Sequence, residues 1–88
     1  MKLKTARITM TTAHTAFAEV DAAVASGDAV LDLSRVDYAD SALVALLLHA
    51  RRELKARGHS LRIVHAPPAL SRLLAAYGIE TLFDGTLA

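Results

Sequence analysis

With 88 residues the chain has material for one hydrophobic core and not for two. Ten basic against nine acidic residues leave a formal charge of +1, well short of the basic field a nucleic-acid binder carries, and the absence of cysteine excludes a disulfide framework and a thiolate zinc site. A hydrophobic fraction of 53%, mostly Ala, Leu and Val, is too high for a disordered chain. The longest apolar run, Ala42 to Leu48, is far below the ~18 residues of a membrane-spanning helix. Met1-Lys2-Leu3-Lys4-Thr5 carries charge with no apolar block behind it, so no secretory signal is expected and the cytoplasm is the expected compartment.

In chain order, Lys2 to Met10 alternates weakly, with Leu3, Ala6, Ile8 and Met10 apolar, and is expected as a strand. Thr11 or Thr12 can cap the following helix by accepting a bond from a free N–H. Ala13, Ala16, Phe17, Val20 and Val24 recur at helical spacing, and Gly27 supplies the left-handed stop. Ala29 to Leu33 has the length and composition of a buried central strand. Ser34 to Ala39 reads as a polar loop. Asp40 or Ser41 caps a second helix that runs to about Arg57 and stops at Gly58. Leu61 to Val64 is the next strand, and Pro67-Pro68 opens a third helix, where a missing N–H does no harm. Its expected buried stripe is Leu70, Leu73, Leu74 and Tyr77, with Gly78 as the stop. A short last strand is expected within Ile79 to Phe83. Alternating strands and helices at this spacing predict an α/β domain over residues 1–88, with a mainly parallel or mixed sheet of about four strands and three to four helices.

The second helix carries more apolar surface than one core stripe needs. At about 100° per residue, Leu43, Leu46, Leu47, Ala50 and Leu54 share one side. Val44 and Leu48 fall elsewhere, on a second line with Ser41, Ala45 and Arg52. Because so short a chain has little material for a second layer, this line is read as facing a partner. Ser41 stands at its rim, at a helix N-terminus where free N–H groups and the helix dipole favour an anion.

The run Val30-Leu31-Asp32-Leu33-Ser34-Arg35-Val36, then Asp40-Ser41, then a leucine-rich helix ending Ala56-Arg57-Gly58, resembles the STAS domain, the fold of bacterial anti-sigma-factor antagonists. The resemblance spans Val30 to Phe83. Two branches are relevant. In the antagonists, a serine after an aspartate at this helix start is phosphorylated by the anti-sigma kinase, which breaks their complex; Ser41 matches that position. Those proteins continue with a small residue and a glycine, whereas Ala42-Leu43 follows here. The other branch is the small STAS subunit of Mla-type phospholipid-transport ABC systems, which serve outer-membrane lipid asymmetry. Asp32-Leu33-Ser34-Arg35-Val36 and Val44-Ala45-Leu46-Leu47-Leu48-His49 are similar to that branch, and it is the favoured one. It implies a non-catalytic cytoplasmic subunit bound to the ABC ATPase, reaching the inner membrane only through that partner, with Asp40, Ser41, Val44, Ala45, Leu48 and Arg52 as contact residues. The chain begins at about the family's second strand, with Ala6 near a glycine position, so a shortened and exposed first strand is expected.

Catalytic chemistry finds little support. Nothing around Ser41 resembles Gly-x-Ser-x-Gly, so a nucleophile elbow is not expected. His14, His49, His59 and His65 contain no i, i+4 pair and gather no carboxylates, so neither a metal nor any other cofactor is expected. On the helical wheel His49 points away from the core. Asp32 is expected to tie a loop through backbone N–H groups.

Overall fold

The structure is a computed structural model that describes residues 1–83 and 85–87. Its elements are β1 (Arg7–Ile8), α1 (Ala13–Ala25), β2 (Val30–Asp32), β3 (Tyr38–Ala39), α2 (Ser41–Ala56), β4 (Arg62–Val64), α3 (Ala69–Ala76) and a 3-10 helix (Glu80–Phe83). The strands pair in parallel, β1 with β3 and β2 with β4. A parallel bridge between Lys2 and Asp32 joins the two pairs. The Leu3 N–H donates to the Asp32 carbonyl at 3.1 Å across that junction.

Two-residue periodicity makes the sheet one-sided. Leu3, Ile8, Leu31 and Ile63 are fully buried, while Lys2, Val30 and Arg62 face solvent. The helices cover the buried face. α2 lies between its neighbours, packing against α1 along one flank and α3 along the other. Its core stripe, Leu43, Leu46, Leu47, Ala50 and Leu54, is buried as the wheel predicts.

Several expectations are corrected. The N-terminal segment is not one exposed strand: it pairs first with β2 through Lys2, then with β3 through Arg7 and Ile8, and so runs inside the sheet. Between those contacts it breaks towards α1, where the Lys4 N–H and the Thr5 hydroxyl both donate to the Glu19 carboxylate. Met10 lies beyond the strand and is exposed. The loop at Ser34 to Ala39 contains β3, whose two residues are too few to show a period. Thr12 occupies the α1 cap position, but its hydroxyl donates to the Arg7 carbonyl at 2.6 Å and accepts from the Thr9 N–H at 3.0 Å, so it ties the preceding loop instead of capping the helix.

Ile79 to Phe83 forms the 3-10 turn and not a strand, in keeping with the three- and four-residue spacing of Ile79, Leu82 and Phe83. Sheet pairing next to β4 is made instead by the following residues: the Ile63 N–H donates to the Thr86 carbonyl at 2.8 Å. Tyr77 is 54% exposed, because it is the C-cap of α3 and has left the buried stripe.

Candidate functional site

The N-terminus of α2 is built by Asp40. Its backbone is extended and its Oδ1 accepts the Ala42 N–H at 2.8 Å, while its own N–H donates to the Ile8 carbonyl at 3.2 Å. One residue therefore caps α2 and fixes the helix start against the end of β1. The next residue, Ser41, is exposed and is not needed as the cap.

From Ser41 an exposed ridge runs along α2 through Ala45 and Arg52, with Leu48 half-buried among them. Val44 departs from expectation. It is only 5% exposed, so the second apolar line is covered at this position. The reason is geometric: the buried residues of α2, from Ala42 round to Val44, span an arc of roughly 200° at 100° per residue. A helix flanked on both sides needs that width. Val44 shares its flank with Arg51, whose Nε donates to the Leu82 carbonyl at 3.2 Å, and so lies on the flank turned towards the 3-10 helix.

His49 is also half-buried, contrary to the wheel reading. Its ring centroid lies 5.0 Å from that of Phe17, and its Nε2 is 2.6 Å from Asp21 Oδ1 on α1. Arg52 lies 3.4 Å from His49 Nδ1. A guanidinium can only donate, so Nδ1 accepts and the ring proton sits on Nε2, pointing to Asp21. The chain Asp21–His49–Arg52 steadies the arginine of the ridge. Spacing alone gave no sign of it, because Asp21 is 28 residues from His49.

At the carboxyl ends of β2 and β4, Asp32 Oδ1 accepts the Ser34 N–H at 2.8 Å and lies 3.3 Å from His65 Nδ1. The Ser34 N–H is the main reason the Asp32 carboxyl is held below its ordinary range; burial opposes the shift, and His65 adds to it. As the sequence suggests, Asp32 ties a loop. His65 adopts a left-handed backbone, φ 54°, at this corner.

Among the described residues, no serine hydroxyl bonds to a histidine, and no three metal-ligating side chains converge. Among the same described residues, no helix is long and apolar enough to cross a membrane. What the site offers is a capped helix start with a free serine, a ridge of small and apolar side chains, and a braced arginine. That is a surface for contact.

Comparison with curated proteins finds no match. Among solved structures, the phosphorylated form of SpoIIAA, a Bacillus cell-fate determinant, aligns with a TM-score of 0.65 at 18% identity, covering 99% of this chain and 77% of that one. At that identity the likeness establishes the fold. The sequence matches the family described as "Mlab, STAS domain" over residues 5–84. STAS domains generally act through protein–protein contacts, and this chain belongs to the MlaB-like STAS family.

Proposed function

We propose that the chain, as a single domain over residues 1–88, is a non-catalytic subunit that docks on the cytoplasmic ATPase of an Mla-type phospholipid-transport ABC system and regulates its stability or activity. The observation that supports this most is the ridge Ser41–Ala45–Leu48–Arg52. It is the one open line on a helix wrapped on both flanks, and its four- and three-residue steps suit a helix laid into a partner's groove. Asp40 holds the start of that ridge in place, and Val44 borders it on the covered flank. On this reading the protein is cytoplasmic, needs no cofactor, binds no nucleic acid and meets the membrane only through the transporter.

The test is co-expression with the transport ATPase, followed by co-purification and ATP turnover of the complex. Leu48→Asp should abolish capture, because a carboxylate at the centre of the patch would have to be desolvated without a partner. Capture unchanged in Leu48→Asp and in Ala45→Arg would remove the ridge from the interface. The chain alone should hydrolyse neither ATP nor esters.

A second reading, an antagonist switched by phosphorylation of an anti-sigma kinase's target serine, is favoured by Ser41 itself. Its hydroxyl is exposed and is not the helix cap, and a phosphate there would sit at the positive end of α2. Intact mass of the native protein separates the two. Little phosphate, with Ser41→Thr fully active, supports the transporter role; phosphate on most molecules at Ser41 supports the switch.

A further inference from the structure

We infer that the partner docked on α2 presents an acidic peptide segment, received by a cationic groove at the C-terminal end of that helix. The inference rests on the docking role proposed above and specifies the partner's chemistry. The groove encloses about 500 Å³, where Arg51 and Lys55 of α2 meet His59, Leu61 and Arg62 at the start of β4, with Leu82 opposite. Among the described residues, none of its walls carries a carboxylate, and neither Arg51, Lys55 nor Arg62 is in an ion pair. The carboxylates of Glu19, Asp21, Asp32 and Asp40 are already engaged elsewhere in the fold.

Cations near a helix C-terminus are favoured by its dipole, which accounts for Lys55. It does not account for Arg62, which lies on a strand, or for Arg51, more than a turn earlier. Arg51 is anchored through Nε to the Leu82 carbonyl, so its terminal N–H donors are held at the groove and remain available for a bidentate carboxylate.

A small phosphate is the weaker occupant. This is the negative end of the helix, where no free N–H groups help an anion, and the groove is open to solvent. An extended segment meets these objections, since its carboxylates can reach successive cations while its apolar side chains rest on the exposed Leu82. A second shallow hollow, lined by Leu48, Arg51, Arg52, Lys55 and Ala56, shares Arg51 and Lys55 with the groove. It joins the groove to Leu48 and Arg52 of the ridge, so one partner segment can follow both.

The full chain is titrated by fluorescence anisotropy with a labelled peptide of alternating Glu and Leu, and with the same peptide carrying Gln for Glu. The Glu peptide should bind and weaken on the order of tenfold from low salt to about 0.5 M NaCl, as screening shortens the reach of its charges. The Gln peptide should not bind. Arg51→Gln combined with Arg62→Gln should weaken the Glu peptide on the order of tenfold. Arg72→Gln, a cation of α3 outside the groove, should leave binding unchanged. Lys55→Gln, at an exposed position, gives the same reading if the double variant melts early.

Equal binding of the Gln peptide, or indifference to all the groove variants, overturns the proposal. So does displacement of the Glu peptide by inorganic phosphate at equal concentration, which would mark a small-anion site. Binding of phosphatidylglycerol vesicles through the same cations, without peptide binding, would make the groove a lipid contact and also overturn it. The assay contains no ATPase, so its failure strikes the groove alone; intact capture in Leu48→Asp strikes the docking role.

Discussion

Three substitutions on α2 test whether its covered flank and its ridge differ as described. Leu47 is fully buried in the core, and Leu47→Ala should cost about 2–5 kcal/mol. At about 0.05–0.15 kcal/mol per residue, a domain of this length holds roughly 4–13 kcal/mol in all, so the loss is a large share. Leu48 is half-buried. Leu48→Asp gives up about half of a ~2 kcal/mol burial, and a poorer helix former adds about 0.5 kcal/mol, for a total of about 1–2 kcal/mol. Val44→Asp is the discriminating variant. It forfeits about 1.5 kcal/mol of burial and places a carboxylate where only 5% of the residue is exposed, so the sum should exceed about 4 kcal/mol. At about 4–8 °C per kcal/mol, thermal melts by circular dichroism should separate Val44→Asp clearly from Leu48→Asp. The expected order is Leu48→Asp nearest wild type, then Leu47→Ala, with Val44→Asp lowest or unfolded. If Val44→Asp melts beside Leu48→Asp, the flank is open in solution and the account of α2 as a helix covered on both sides is wrong.

Asp40→Ala should lower stability by about 1 kcal/mol through loss of the cap, whereas Asp40→Asn, which can still accept the Ala42 N–H, should stay close to wild type. Urea midpoints check both, and equal loss in the two variants would assign Asp40 another role. Asp32 makes a pH prediction. Its folded carboxyl lies below the ordinary value of 3.8, so the stability it lends is present above about pH 4 and is lost as pH falls through the folded value. Urea melts from pH 7 to pH 3 should show a shallower acid loss in Asp32→Asn than in wild type, and parallel curves would contradict this.

The sequence was most legible where a period was long enough to read. Sixteen residues of α2 display their core stripe unmistakably, and the stops at Gly58 and Gly78 fall at positive φ as expected. β3, two residues at the end of a polar stretch, carries no such signal, which is why the sequence there reads as loop. The tail is ambiguous for a related reason: three- and four-residue spacing between Ile79, Leu82 and Phe83 suits a turn of helix as well as a strand end. At the site, Asp40, Ser41, Ala45, Leu48 and Arg52 lie where their spacing puts them. Val44 does not, because a wheel shows the angle of a side chain and not what stands opposite. His49 shows the same limit. Its partners Phe17 and Asp21 belong to another helix, and only the fold brings them within reach.

β3 is two residues long and closes one side of the sheet, with the Arg7 guanidinium 4.5 Å from the Tyr38 ring centre beside it. On the opposite side, the Thr86 carbonyl already takes the Ile63 N–H. Strand borders this brief offer a neighbouring chain almost no ladder to extend. A second copy of the domain therefore finds little open backbone on β3 to pair with, and a sheet-to-sheet contact between copies is disfavoured.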